Sequence, residues 1–124
     1  MNYKNLTHAT IYKTFLINSP YKYSNRFLGA AYLLAASKDT WQRAKPAIKE
    51  KRICFKDIDR HGLTTYGYAL LTMAQDIYES TTHINLFDLS DPYLISDRTL
   101  DLVVNALIIV REGYEVTGVN KHFE

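Results

Sequence analysis

Apolar residues return at helical spacing along two segments of this chain, and that period limits what it can fold into more than any other feature. In the first, Leu63, Leu70, Ala74 and Ile77 recur on one side of a helix that runs to Glu79, with Thr64 or Thr65 placed to cap its start. The second opens after Ser96 or Asp97 and carries Leu100, Val103, Val104, Leu107, Ile108 and Val110 to Glu112, where Gly113 stops it. A stripe this wide predicts the central helix of a domain built by packing helix on helix.

Three shorter helices are predicted ahead of these. Thr7 to Asn18 pairs Ile11 with Phe15 and Tyr12 with Leu16, four apart, although Thr10-Ile11-Tyr12 suits a strand as well. Ser19-Pro20 offers a cap followed by Pro at the first helical position, so the second helix starts at Pro20 or Ser24 and runs to Ala36. Phe27, Ala31, Leu34 and Ala35 form its stripe, widened by Leu28 and Tyr32, and Gly29-Ala30-Ala31 leaves room for another helix to come close. A third, capped by Ser37 or Asp39, turns Trp41 and Ala44 inward and ends near Lys45, ahead of Pro46.

Ala47 to Gly62 is the least regular stretch. Ile53-Cys54-Phe55 must anchor it, and a small hairpin around Arg52 to Phe55 is where strands would arise. A helical turn is expected at Leu86-Phe87-Asp88-Leu89. The expectation is one all-α domain over residues 1–124, with five or six helices and a partly ordered tail at 113–124.

A chain of 124 residues, 47% hydrophobic, is long enough to bury a real core. Its one cysteine, Cys54, excludes an internal disulfide and reads as a buried, inert thiol. Met1 to Asn5 lacks the apolar centre of a signal peptide, and Leu28–Ala36 and Leu102–Val110 are too short to span a bilayer. A cytoplasmic protein without membrane contact is expected.

Charge divides the chain. Residues 1–60 carry twelve Lys/Arg against four Asp/Glu, and residues 61–124 carry three against nine. The overall +2 hides a dipolar molecule, which bears on association and not on fold. Positive charge gathers in Arg43, Lys45, Lys49, Lys51, Arg52, Lys56 and Arg60, with Trp41 and Phe55 beside or among them. Cations interleaved with aromatics suit phosphate contacts plus base stacking, while the plainer reading is a solvated irregular segment.

The acidic counterpart comprises Asp76, Glu79, Asp88, Asp91, Asp97 and Asp101. Asp76 with Glu79, and Asp97 with Asp101, read as solvated-face carboxylates, the latter pair favoured by the helix dipole. Between Leu86 and Asp97 the aspartates alternate with large apolar residues. Phe87, Tyr93 and Ile95 turned inward make an ordinary packed connection, which is the default. Turned outward, they make an acidic, aromatic surface suited to a basic protein groove. Ten tyrosines favour interface use, and Tyr3, Tyr21, Tyr23, Tyr66 and Tyr68 are the least committed to the core stripes.

No constellation carries chemistry with specificity. Asp57, Asp59 and His61 offer three potential metal ligands at alternate positions, but nothing elsewhere completes a site, and a solvated loop is the better reading. Arg60-His61-Gly62 resembles the catalytic tripeptide of histidine phosphatases, in which it follows a strand of a larger α/β domain and precedes a further Arg; here it precedes Leu63 and opens a helix. His8, His61, His83 and His122 are scattered without pairing, and His83 reads as a surface residue among acids. Five separated glycines make no phosphate cradle. The expectation is no enzyme and no cofactor.

Leu63 to Tyr114 resembles a small family of bacterial domains, with no assigned activity, carried by phages, plasmids and integrative elements of Firmicutes. The resembling residues are Tyr68-Ala69-Leu70-Leu71-Thr72-Met73-Ala74-Gln75-Asp76-Ile77-Tyr78, Leu86-Phe87-Asp88-Leu89 and Asn105-Ala106-Leu107-Ile108-Ile109-Val110-Arg111. Leu28 to Trp41 is similar to an earlier helical pair of that family. The resemblance transfers no functional residue. It implies an accessory protein of a mobile element, and small proteins of that origin are often inhibitors of host defence, CRISPR nucleases included.

These readings converge on a non-enzymatic protein that docks on a protein partner. Its acidic residues would mimic phosphate spacing in the basic channel of a host defence nuclease. The alternative is a nucleic-acid-binding protein that uses residues 43–60. A homodimer in which oppositely charged halves meet is a further expectation.

Overall fold

The computed structural model describes residues 3–113, and the expected tail beyond Gly113 lies outside the described residues. Six helices run in the order α1 (Leu6–Asn18), α2 (Asn25–Leu34), α3 (Lys38–Ala44), α4 (Thr65–Glu79), α5 (Leu86–Leu89) and α6 (Asp97–Glu112). Between α3 and α4 a two-residue strand on either side of a turn, β1 (Ile48–Lys49) and β2 (Arg52–Ile53), makes the only sheet among the described residues. The register pairs Ile48 with Ile53 and Lys49 with Arg52 in antiparallel sense. The domain is all-α apart from this hairpin.

Every helix starts on a short polar side chain that accepts from a backbone N–H three residues on. Asn5, Ser24, Ser37, Thr64, Asn85 and Ser96 do this for His8, Phe27, Thr40, Gly67, Asp88 and Thr99. Each such cap contributes about 1 kcal/mol by satisfying one donor that the helix leaves unpaired. Ser24 is the cap of α2, so the start offered by Ser19-Pro20 is not used. Ser19 instead closes α1, and its hydroxyl bonds the Tyr23 hydroxyl at 2.6 Å.

The central helix is α2, not α6 as its wide stripe predicted. Phe27 and Gly29 to Leu34 are all buried, and α4 and α6 pack on α2 more extensively than any other pair of elements. Small residues make this possible. A Cβ on Gly29 would stand 2.7 Å from Val110 Cγ2 and 3.0 Å from the Ala106 carbonyl oxygen, so any larger residue there would push α6 away. The face of α6 that this approach selects is Thr99, Leu102, Val103, Asn105, Ala106 and Ile109. Of the predicted stripe, Val103 is buried and Ile108 and Val110 are half-buried. Leu100, Val104 and Leu107 lie outside, 38–49% exposed. The helix is apolar around more than one arc, and close packing took the arc with the smaller residues at its centre.

Side chains from flanking elements then dock on α2 through its carbonyls. The Tyr12 hydroxyl donates to Leu28 O at 2.8 Å, and the Thr40 hydroxyl to Leu34 O at 2.6 Å. The hairpin segment is tied to α4, with Ile53 N–H donating to the Tyr78 hydroxyl and the Phe55 ring 5.7 Å from that of Tyr78. Cys54 is half-buried rather than enclosed.

Candidate interaction surface

The acidic residues do not share one face, because Asp76 is interior. Only 7% exposed, it closes the corner after α4. Its Oδ1 accepts from the Thr81 hydroxyl at 2.6 Å, His83 N–H at 3.0 Å and His83 Nδ1 at 2.8 Å, and its Oδ2 from Ile84 N–H at 2.8 Å. Burial pushes the carboxyl upward, but the bonds from Thr81, the two amides and the His83 ring outweigh it and hold Asp76 below the usual carboxylate range. Asp76 is therefore a structural anion and Glu79, three residues on, a surface one that accepts from Gln75 Nε2. Their spacing placed both on the polar side, but a carboxylate at a helix end is drawn in where turn amides lack other partners.

That corner delivers the chain into a segment with the opposite arrangement. Ile84 and Ile95 are buried at either end and Leu89 and Leu94 pack partly against the core. A capping box sets α5, with Asp88 N–H donating to Asn85 Oδ1 at 2.8 Å and Asn85 N–H to Asp88 Oδ2 at 3.1 Å. Asp91 Oδ1 accepts from Tyr93 N–H at 2.9 Å, and the Asp91 carbonyl from Ile95 N–H. Held this way, Leu86, Phe87 and Tyr93 stand in solvent, 85%, 82% and 94% exposed. Ile95 turns inward as the packed reading expected, whereas Phe87 and Tyr93 do not. Phe87 faces outward because four helical residues between two buried isoleucines show only one side to the core, and Tyr93 because it lies in the turn that Asp91 closes with Leu94 and Ile95. Exposed Asp91 and half-buried Asp88 accompany them, and Asp97 and Asp101 lie exposed on α6 with Leu100, Val104 and Leu107.

The basic run is also divided. Arg43 is a latch: its Nε donates to Asp39 at 3.0 Å, and its Nη1 to the carbonyls of Asp59 at 2.9 Å and His61 at 2.7 Å. Arg60 is half-buried and donates to Gln75 Oε1. Lys45, Lys49, Lys51, Arg52 and Lys56 are exposed and pair with no carboxylate among the described residues. Three of these cations cluster at the hairpin, where Glu50 turns the chain at φ 57°. Trp41 and Phe55, the aromatics expected beside them, are 8% and 1% exposed and offer no stacking face.

Sequence reasoning missed the aromatic groove beside this hairpin. A cleft of about 510 Å³ between α1 and the hairpin is lined by Ile11, Phe15, Tyr21, Tyr23, Trp41 and Ile48, with Lys45 and Glu50 as its charged groups. Tyr23 stacks on Phe27 with ring centres 3.9 Å apart, and Phe15 meets Trp41 edge-on at 5.1 Å, so the wall is held rigidly. The four lining aromatics come from three places in the chain, Phe15 in α1, Tyr21 and Tyr23 ahead of α2 and Trp41 in α3, and only the fold gathers them.

His8, read as unpaired, is instead at the centre of a ring cluster with Tyr3 and Tyr32. Its Nδ1 accepts from Lys4 N–H at 3.0 Å, so the proton sits on Nε2, which donates to Tyr32 O at 2.8 Å. Burial lowers the imidazole to about 4, against the Tyr32 bond and with some help from nearby Lys4. His61 N–H donates to Asp59 Oδ1 in a local turn, and among the described residues no three His, Cys, Asp or Glu come together to hold an ion. Asp57, Asp59 and His61 are all exposed.

No family model, curated protein or solved structure matches this chain. No helix among the described residues is long and apolar enough to cross a membrane.

Proposed function

We propose that this protein is a non-enzymatic docking domain whose contact element is the segment Leu86–Tyr93. The observation that carries this is the exposure of Leu86, Phe87 and Tyr93 from a backbone pinned at both ends. Large apolar side chains presented on an ordered element mark a binding site, and aromatics form the anchors of most interfaces. Asp88 and Asp91 among them select a cationic partner surface. The channel of a nucleic-acid-binding protein has that character, and a host defence nuclease, the target class that the mobile-element resemblance implies, is such a protein. The non-enzymatic reading is supported by His8 and Asp76, the buried imidazole and the buried carboxylate among the described residues, whose hydrogen bonds are spent on holding the fold.

Affinity capture from a nuclease-treated bacterial lysate tests this reading, run with the natural protein and with a Phe87→Ser/Tyr93→Ser variant. A nucleic-acid-binding protein retained by the first at low salt and lost by the second supports it. Equal retention by both counts against it. Lys49, Lys51 and Arg52, exposed and paired with no carboxylate among the described residues, support a second reading, contact with nucleic acid at the hairpin. In that case single-stranded or duplex oligonucleotides bind with a steep salt dependence, and charge reversal of the three residues abolishes binding.

A further inference from the structure

We infer that the groove between α1 and the hairpin receives the Leu86–Tyr93 segment of a second copy of this chain. The inference rests on reading that segment as a docking element and adds what covers it in the free protein, so self-association and partner binding compete for the same residues. The two surfaces are complements. The groove supplies an aromatic and aliphatic wall from Phe15, Tyr21, Tyr23 and Ile48, with a volume of about 510 Å³, and the segment supplies Phe87, Tyr93 and Leu86 almost wholly exposed. Lys45 lines the groove and Lys49, Lys51 and Arg52 stand on the adjoining hairpin, all exposed, while Asp88 and Asp91 lie between the segment's apolar residues. Glu50 is the one carboxylate on the groove wall among the described residues, against these four cations. A single chain thus carries a cationic aromatic socket and an anionic aromatic plug.

Buried area decides the form of the assembly. An aromatic side chain covers ~150–250 Å², so one plug buries roughly 500 Å² per partner, short of the ~800 Å² of a standard interface. A reciprocal pair, each plug in the other's groove, doubles the area and reaches that size. It also closes on itself, which a single head-to-tail contact does not. The assembly is therefore a two-fold dimer, and high salt weakens it.

Sedimentation velocity over a wide concentration range, at low and at high ionic strength, tests this. A concentration-dependent dimer that dissociates in salt is expected. Plug variant Phe87→Ser/Tyr93→Ser and groove variant Tyr21→Glu/Lys45→Glu alter only exposed positions, and circular dichroism checks that each is folded. Each alone is expected to be monomeric, and their equimolar mixture, which restores one of the two plug-in-groove contacts, is expected to associate only at concentrations well above those at which the natural chain dimerises. A natural chain that stays monomeric at every concentration overturns the inference. So does a dimer that survives in either variant, or a mixture that associates as tightly as the natural chain. A monomer that still loses a captured partner on plug substitution overturns this inference alone and leaves the docking reading standing.

Discussion

The corner that closes α4 and the segment directly after it use their side chains in opposite senses. At the corner a carboxylate goes inside, where Asp76 gathers the amides of His83 and Ile84 and the Thr81 hydroxyl. Within the next ten residues Leu86, Phe87 and Tyr93 go outside. Backbone accounting explains both. Buried turn amides must find an acceptor, and one ionised carboxylate serves several at once. In the segment, Asn85, Asp88 and Asp91 satisfy the backbone locally, so the large apolar residues are not needed to hold it down. Polarity along a sequence is therefore a weak guide to burial wherever backbone groups need partners.

The largest effect is expected from breaking the corner. Asp76→Ala leaves the buried Ile84 amide and the part-buried Thr81 hydroxyl and His83 amide without their acceptor and should cost about 3 kcal/mol of unfolding free energy, read by urea denaturation. An unchanged midpoint would show that water replaces the carboxylate. Acid probes the same inside–outside contrast in order. His8 falls from 6.5 in the unfolded chain to about 4 in the fold. Below pH 6.5 the unfolded state takes up a proton that the native state refuses, so stability declines as pH drops towards 4. The loss amounts to about 3 kcal/mol across that window. Asp76 is shifted below its ordinary 3.8, so its contribution is complete above that value and is lost only as pH falls further, through its folded pKa. Denaturation curves collected from neutral pH to pH 4 should show the first decline, and a His8→Gln variant should flatten it.

Smaller effects belong to the exposed segment. Asn85→Ala removes the α5 cap and should cost about 1 kcal/mol. It should also raise amide exchange at residues 86–91 while leaving α4 protected, which hydrogen exchange would resolve. If protection falls across α4 as well, corner and segment are one cooperative unit. Measured on the monomer, at low concentration and high salt, Phe87→Ser/Tyr93→Ser should change stability by less than about 0.5 kcal/mol, since both rings already sit in solvent. A clear thermal destabilisation would mean that the rings support the fold and are not reserved for a partner.

Helix positions were legible in the residues because the signals are local. Thr64 before Leu70 and Ala74, Ser96 before Val103, and Ser37 before Trp41 each start a helix within the expected residue or two. The candidate surfaces were legible only in part. The exposed cations of the hairpin and the alternation of Asp with large apolar residues at 86–97 could be read. The inward turn of Asp76, the hydrogen bonding of His8 and the aromatic groove could not. The last two depend on groups distant in sequence, such as Tyr32 for His8 and Trp41 for Phe15. Asp76 depends on a turn that folds Thr81, His83 and Ile84 back over the end of α4.

Sequence alone thus determined an all-α chain with its helix starts and its divided charge, because caps, periodicity and composition act within a few residues. Tertiary structure decided which arc of α6 is buried. Leu100, Val104 and Leu107 match helical spacing as well as Leu102, Val103 and Ala106 do, and only the small surface at Gly29 distinguishes them. It also decided that Phe87 and Tyr93 face out. A short helix and the turn after it, held between two buried isoleucines, can satisfy their own backbone and leave their largest side chains free, and nothing local in the sequence states that choice.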